Sequence, residues 1–370
     1  MDRRPVAGPV DPGTNGTNGS NGSNGTNGTV VTGATRSFGM ADVAARAGVS
    51  HQTVSRVING QPNVAAATRK KVLEAIAELG YRPNSAARAL VTGSSRTIGL
   101  AIANVSQYGP AQTLLGLEHA AREAGYFLTV SVLDDDTAGT LREAVDRLAS
   151  QSVDAIVALS TYEGAVHALS DVHPRVPLIT VQAERSGQDV AVWVDQEAGA
   201  ALATRHLLDL GHRTVHHLRG PANALEADAR ERRWRTELES AGAPVPAVLN
   251  GDWWPPTGYL AGRELIARRR GGEEVTAVFV ANDQMALGLL SAFDEGGIRV
   301  PEDISVVGFD DVPEAPYYVP PLTTVRQDFA ELGRRVVQAV LARISGTSFQ
   351  PEPVQPHLMV RNSTAPPTHG

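Results

Sequence analysis

The sequence predicts two architectures in one chain: a small all-α helix-turn-helix headpiece, then an α/β body of two lobes built on doubly wound parallel sheets. Three observations predict it. Residues 40–79 carry three short amphipathic helical patterns with a Gly-containing turn between the first two. Beyond residue 96, β-branched runs alternate with helical patterns at the spacing of strand–helix units. The charge also divides between these regions. Of 370 residues, about 270 fall in the body, more than one core normally carries.

The first helix, Ala41–Ala47, runs into Gly48-Val49-Ser50, a turn of the length that joins two helices steeply. The second, about His51 to Asn59, is two-faced. At the helical period Val54, Val57 and Ile58 share one side, and His51, Gln52, Ser55, Arg56 and Asn59 the other. No acidic residue lies on the polar face, and its donors and acceptors are the types that read base edges in a major groove. Ser50 stands where an N-cap is wanted, and a helix N-terminus also suits a phosphate. Taken alone, such a pair is more often ordinary packing than DNA binding, and His51 also reads as a solvated side chain. Arg56 is the stronger candidate, because Arg to guanine is the commonest specific contact.

Charge supports the division. The whole chain is formally −7, yet between Arg36 and Arg96 nine Arg or Lys stand against Asp42, Glu74 and Glu78. That surplus of +6 leaves −13 beyond Arg96. A basic module on an acidic body confines phosphate attraction to the module.

In the body, 97–105, 127–133, 154–160 and 177–182 read as buried parallel strands, with helices near 111–125, 138–150 and 163–172 between them. A second series, 214–219, 275–281 and 304–309, is separated by helices near 196–210, 226–241, 256–270 and 283–296. Ligands of such sheets bind beyond the carboxyl ends of the strands, which places a small-molecule site in a cleft between lobes.

Other classes find little support. There is no Cys, hence no disulfide framework or thiol chemistry. No G-x-S-x-G elbow, H-E-x-x-H or P-loop is present, so neither an enzyme nor a cofactor is expected. His206, His212, His216 and His217 lack a metal-ligand spacing on one helix face and read as structural. No apolar run reaches about 18 residues, and the start MDRRPVAGPVDPG lacks a hydrophobic signal region, so a cytoplasmic protein is expected, with no membrane partner. Residues 13–29, rich in Gly, Asn and hydroxyl residues, read as a disordered tail.

DVAARAGVSHQTVSRVING, the helix ending AELGYRPN, and SAARALVTG appear in order at the spacing of the LacI/GalR family, whose headpiece and hinge they resemble. VANDQMALG (280–288), ISVVGFDD (304–311) and YVPPLTTVRQDFAELG (318–333) extend the resemblance through the body. It implies a core like a periplasmic sugar-binding protein, with a C-terminal lobe over about 196–322 and a final helix Asp328–Ile344 completing the other lobe. The boundaries then read as tail 1–37, headpiece 38–83, hinge 84–96, two-lobed core 97–345 and a partly disordered C-terminal segment 346–370.

The resemblance also implies site residues. His51, Gln52 and Arg56 would contact bases. Ser50, Thr53, Ser55, Asn59 and Thr68 would touch phosphates and set register. The hinge Asn84–Val91, including Ala87, would become helical on DNA, and Leu90 would wedge into the minor groove. Arg230, Asn282 and Asp310 fall where family members hydrogen-bond effector hydroxyls. Trp253 matches a stacking position, Gln327 and Phe329 line the last crossover, and Tyr108 and Pro110 form the opposite wall. Two alternatives stay open: Trp253 in the core with Trp254 exposed, and Asn282 or Asp283 as a helix cap. Gln182 stands where a sugar-binding member offers a carboxylate, so the ligand is expected to differ in a hydroxyl or its stereochemistry.

Gly39 and Ala65 replace hydroxyl caps of the first and third helices, small losses. The expected function is a DNA-binding repressor acting as a homodimer on double-stranded operator DNA and released by a small sugar, a galactoside being favoured. The alternatives are a corepressor-type regulator strengthened by a non-sugar ligand, and a solute-binding protein. The C-terminal segment has no leucine heptad, which favours a dimer over a tetramer.

Overall fold

The computed structural model describes residues 38–58, 60–82, 93–135, 137–160, 162, 175–182 and 191–368. The expected tail 1–37, Asn59, the hinge residues Asn84, Ala87 and Leu90, and the expected helix at 163–172 lie outside the described residues, as does the side chain of Gln182. The chain divides into two compact units after Pro83.

In the first unit, α1 (Met40–Ala47), α2 (His51–Ile58) and α3 (Ala66–Leu79) enclose a small core. Val43, Val54, Val57, Val72 and Ala75 fill it, and Tyr81 closes it. Gly48 ends α1 in the left-handed region at φ 65°, which a residue without Cβ adopts at no steric cost. Gly39 has no side chain to cap α1, but Asp42 Oδ2 accepts from Gly39 N at 2.7 Å. The carboxylate at the first turn thus offsets part of the missing cap. Ala65 leaves α3 without a side-chain cap, as expected.

The second unit holds two sheets. In the first lobe β1 (Thr97–Ile102), β2 (Phe127–Val132), β3 (Ala155–Leu159), β4 (Leu178–Gln182) and β5 (Ala191–Trp193) form a parallel sheet in the order β2-β1-β3-β4-β5. Helices α4 (Tyr108–Glu123) and α5 (Ala138–Ser150) belong to this lobe. The second lobe orders β6 (His216–Arg219), β7 (Leu249–Asn250), β8 (Ala277–Val280), β9 (Ser305–Asp310), β10 (Thr323–Arg326) and β11 (His357–Met359) as β11-β10-β9-β8-β6-β7, parallel except for β11. Its helices are α6 (Gln196–Asp209), α7 (Leu225–Ser240), α8 (Pro255–Arg270) and α9 (Asp283–Glu295). Helix α10 (Phe329–Ser345) returns to the first lobe, where Leu332, Val336 and Val340 join the core of β1 and β3.

Strands β5, β7, β10 and β11 were not expected from the sequence; they are only two to four residues long. The C-terminal segment, expected to be partly disordered, is instead integral to the second lobe. Val306 N donates to Ser363 O at 2.8 Å, and Ser363 is fully buried. Two histidines anchor the same segment: His206 pairs with Thr364 Oγ1 at 2.9 Å and His212 with Ala365 O at 3.0 Å.

Close backbone approach between α4 and α10 sets the first lobe's cleft-side corner. A Cβ on Gly116 would collide with the Phe329 carbonyl, and one on Gly333 with the backbone of Gly116. This crossing places the start of α10, with Phe329, against the start of α4, with Tyr108. Their rings meet edge to face with centroids 6.0 Å apart.

In the second lobe His217 is buried between Trp234 and Phe279, with ring centroids 5.2 and 4.7 Å away. Its Nδ1 donates to Phe279 O at 2.9 Å, whereas Nε2 has no partner among the described residues. Burial pushes this imidazole from its ordinary 6.5 down to about 3. Native His217 therefore stays neutral while the unfolded chain takes up a proton below pH 6.5, so stability is full above that value and declines as pH falls toward 3. His217→Phe is expected to lessen this acid sensitivity. In urea titrations, the variant should gain about 2 kcal/mol on wild type between pH 8 and pH 5.

Candidate functional site

The candidate reading face of the headpiece follows from its packing. Val54 and Val57 are buried against the core, which turns His51, Gln52 and Arg56 outward into solvent. Thr53, Ser55 and Thr68 are half-buried. Ser50 caps α2, its Oγ accepting from Thr53 N at 3.2 Å and lying 2.9 Å from Thr53 Oγ1. Three exposed side chains able to donate or accept thus project from the first two turns of a helix with no acidic residue, a surface suited to a base edge.

The cleft of the second unit is assembled at the carboxyl ends of strands, as doubly wound sheets require. Tyr108 and Pro110 follow β1, Trp253 follows β7, Asn282 follows β8, Asp310 ends β9, and Gln327 and Phe329 follow β10. Arg230 comes from the second turn of α7. These eight expected residues line one cleft with about 710 Å³ of empty space, its open mouth included. Leu159, Val181 and Val194 supply an apolar wall from the first lobe.

At the centre sits Arg230, 4 % exposed. Its guanidinium lies over the Phe309 ring at 3.7 Å and faces Trp253 at 5.5 Å. Nε donates to Gln196 Oε1 at 2.9 Å and Nη1 to the Ala281 carbonyl. Asp310 is 7 % exposed and accepts from Gln327 Nε2 at 2.7 Å. Burial pushes its carboxyl up to about 6, while Arg230 and the Gln327 bond pull it down. Asp310 also holds φ 111°, a region L-residues rarely adopt, at the mouth of a fully buried strand. Its neighbour Asp311 is clamped by Arg326 at 2.6 Å and Arg361 at 2.5 Å, which helps to hold that backbone.

The structure bears on both open alternatives. Trp253 is half-buried, packs against the second lobe's core and also lines the cleft, its ring laid over Gly220 where a Cβ would collide with it, and Trp254 is the exposed neighbour. Asn282 caps α9, Oδ1 accepting from Met285 N at 2.9 Å and Nδ2 donating to Trp253 O at 3.0 Å. It thus lines the cleft and caps at once, with one amide hydrogen left for a ligand. Asp283 is instead fully buried beside the cleft, accepting from Thr324 Oγ1 at 2.6 Å and Val312 N at 2.9 Å.

Gln107, Gln196, Glu226 and Gln284 also line the cleft and were not expected from the sequence. Gln107 and Gln196 follow β1 and β5, so the strand-end rule would have found them once β5 was recognised. Arg232 and Arg233 pair with Glu197 at 3.2 Å and Glu237 at 2.6 Å, and neither lines the cleft.

Comparisons with known proteins agree with this geometry. Residues 39–84 match the model of bacterial regulatory proteins, lacI family, and residues 204–364 match a periplasmic binding protein-like domain. The lactose operon repressor of Escherichia coli is 34% identical over 87% of this chain and 89% of its own length. The HTH-type transcriptional repressor PurR of Vibrio parahaemolyticus is 33% identical over 87% of this chain and 97% of its own. Among solved structures, the Lac repressor dimer bound to operator and the anti-inducer ONPF superposes with a TM-score of 0.79 at 33% identity, covering 89% of this chain and 99% of that one. The regulator CelR in complex with cellobiose gives 0.65 at 32%, covering 88% and 99%. These relatives are transcriptional regulators, not enzymes.

The buried acid gives a measurable consequence. Asp310 is raised from 3.8 to about 6 in the fold, so its contribution is most favourable below pH 4 and is lost as pH rises through 6. Asp310→Asn is therefore expected to stabilise the ligand-free protein by about 1–3 kcal/mol at pH 8 and by little below pH 4. Urea unfolding at both values checks it, and destabilisation at pH 8 would show that attraction to Arg230 outweighs burial.

Proposed function

The chain belongs to the LacI family of bacterial regulatory proteins and is a DNA-binding transcriptional repressor, and from that premise we propose that a small neutral sugar, a galactoside or similar glycoside, occupies the cleft and releases operator DNA. The observation that carries this reading is the juxtaposition in one cleft of an aromatic plate, Trp253, with Arg230, Asn282 and Asp310. A pyranose offers an apolar face to the ring and hydroxyls that both donate and accept to the polar groups. Arg230 is the only cation among the described lining residues and already faces Asp310, with Glu226 nearby. A phosphorylated ligand would therefore bring negative charge without a second cation to meet it.

A second reading has its own support. Tyr108, Phe329 and Trp253 together offer enough aromatic surface for a flat heterocycle such as a purine, which would act as a corepressor. Either ligand works through a coupling free energy between cleft and headpiece, so DNA must change ligand affinity by the same factor.

On the DNA side, His51, Gln52 and Arg56 read bases, and Ser50, Thr53, Ser55, Asn59 and Thr68 set register on phosphates. Asn84, Ala87 and Leu90 belong to a hinge that engages the minor groove. The repressor works as a cytoplasmic homodimer on a two-fold symmetric operator. Each lobe leaves large apolar side chains exposed, Phe127 and Val132 in the first, Leu260 and Leu287 in the second, which supports contact with another copy. No described helix is long and apolar enough to cross a membrane.

Fluorescence anisotropy on palindromic duplexes, with D-galactose, methyl β-D-galactoside, cellobiose and adenine as ligands, tests the reading. A sugar that raises Tm and weakens operator binding supports release; adenine tightening it supports the second reading. His51→Ala or Gln52→Ala is expected to change the order of preference among operators by about 1–3 kcal/mol per affected base pair. Thr68→Ala should weaken all duplexes alike, and equal loss across duplexes for the first pair would remove them from base reading.

A further inference from the structure

We propose that Gln196 sets the polarity of the effector cleft: by fixing Arg230 and Gln327 in one donor-to-acceptor direction, it keeps a donor on Arg230 and an acceptor on Asp310 facing a neutral, hydroxyl-bearing ligand. The proposal rests on the reading of the cleft as an effector site and adds to it a residue with no part in that reading.

Gln196 is 5 % exposed and is the first residue of α6. Asp195 does the capping there, accepting from Ala198 N at 2.8 Å, so the Gln196 amide is available for side-chain bonds. It makes two, in opposite senses. Oε1 accepts from Arg230 Nε at 2.9 Å, and Nε2 donates to Gln327 Oε1 at 3.0 Å. Gln327 Nε2 then donates to Asp310 Oδ1 at 2.7 Å. The result is an unbroken line of three hydrogen bonds from guanidinium to carboxylate through two amides.

The ends dictate the direction. A guanidinium can only donate and an ionised carboxylate can only accept. Turning over either amide would set N–H against N–H at one of its bonds and oxygen against oxygen at the other. Buried polar groups left in that state cost far more than the bonds they replace. The Gln196 amide can accept from Arg230 and donate to Gln327 together because it carries an acceptor and a donor side by side. With Nε and Nη1 committed, Nη2 of Arg230 makes no hydrogen bond to the described residues. The second Asp310 oxygen likewise has no hydrogen-bond partner among them. The cleft is thus left with a matched donor and acceptor rather than an unpaired cation, which suits a hydroxyl and disfavours an anion.

The test needs no ligand for its first arm. Trp253 faces Arg230, so the difference in tryptophan emission between wild type and a Trp253→Phe background reports the charge around that ring as pH is varied. Asp310 is the group followed; it is faced by Arg230 from α7, Asp283 from α9, Tyr108 from α4 and Tyr318. Wild type is expected to show a transition near pH 6. Gln196→Glu keeps the bond to Arg230 but cannot donate to Gln327, whose amide must turn its oxygen toward Asp310. The transition should then move upward by about one pH unit or more. Gln196→Met, uncharged and similar in length, should move it the same way by less, and it serves if the Glu variant does not fold.

The second arm uses methyl β-D-galactoside as the probe. Gln196→Glu should lose about tenfold in probe affinity at pH 7.5. A merely space-filling role for Gln196 predicts no movement of the emission transition, and that result in both variants overturns the proposal whatever binds. If the transition moves but the probe does not bind wild type, the galactoside reading fails and the role of Gln196 stands.

Discussion

Arg230 is a full charge taken out of water, and the organisation of the cleft follows from making that tolerable. An isolated buried guanidinium would cost many kcal/mol. Here it is offset on every side: Phe309 beneath the cation, Trp253 facing it, Ala281 and Gln196 accepting from it, Asp310 opposite. Those partners come from β9, the loop after β7, the end of β8 and the start of α6, so the charge ties together four separate strand ends of the second unit. A binding site placed there is pre-organised by the same interactions that keep the arginine soluble inside protein.

The cost appears as strain and as a carboxyl at Asp310 made a weaker acid by burial. Asp310 and Trp253 both occupy positive φ, at 111° and 75°, and neither is glycine. Such conformations persist only where surrounding bonds over-determine them. Asp311 between Arg326 and Arg361 provides one such restraint, and Arg361 lies in the C-terminal segment beyond β11. The tail of the chain therefore supports the geometry of the cleft. Gly220 beneath the Trp253 ring and Gly116 against Gly333 do the same by absence, each leaving room for an approach that a methyl group would block.

Much of this was legible in the sequence, and the misses share a cause. Long elements with clear periodicity, such as α5, α7 and β9, fall within a residue or two of their expected bounds. Strands β5, β7, β10 and β11 offer two to four residues each, too few for alternation to register, and their pairing depends on neighbours distant in sequence. Losing β5 hid Gln196, because the rule that ligands gather beyond strand ends needs the strand to be known. Asn282 was legible both as a cap and as a cleft residue; it caps with its oxygen and lines the cleft while its nitrogen bonds Trp253 O, an arrangement that spacing alone does not reveal. Residues 346–370 were expected to be partly disordered, and residues 346–368 are ordered instead. Their order comes from hydrogen bonds to His206, His212 and Val306, contacts with no local signature.

The two units also divide the physical work. The headpiece core is a handful of small apolar side chains around Val43, Val54, Val57 and Val72, so its margin of stability is narrow. The body carries four larger clusters and the acidic surplus. A small basic reader with little stability of its own responds to modest free-energy changes, whereas a large rigid body can hold a strained, desolvated cleft without unfolding. Coupling of 1–3 kcal/mol between sites is typical of allosteric proteins. That is small beside the burial that holds the body together, yet a large fraction of what a three-helix core of this size can supply. Under the proposed function, strained chemistry in the body and a reading face in the headpiece would let ligand occupancy change DNA affinity without threatening the fold that senses it.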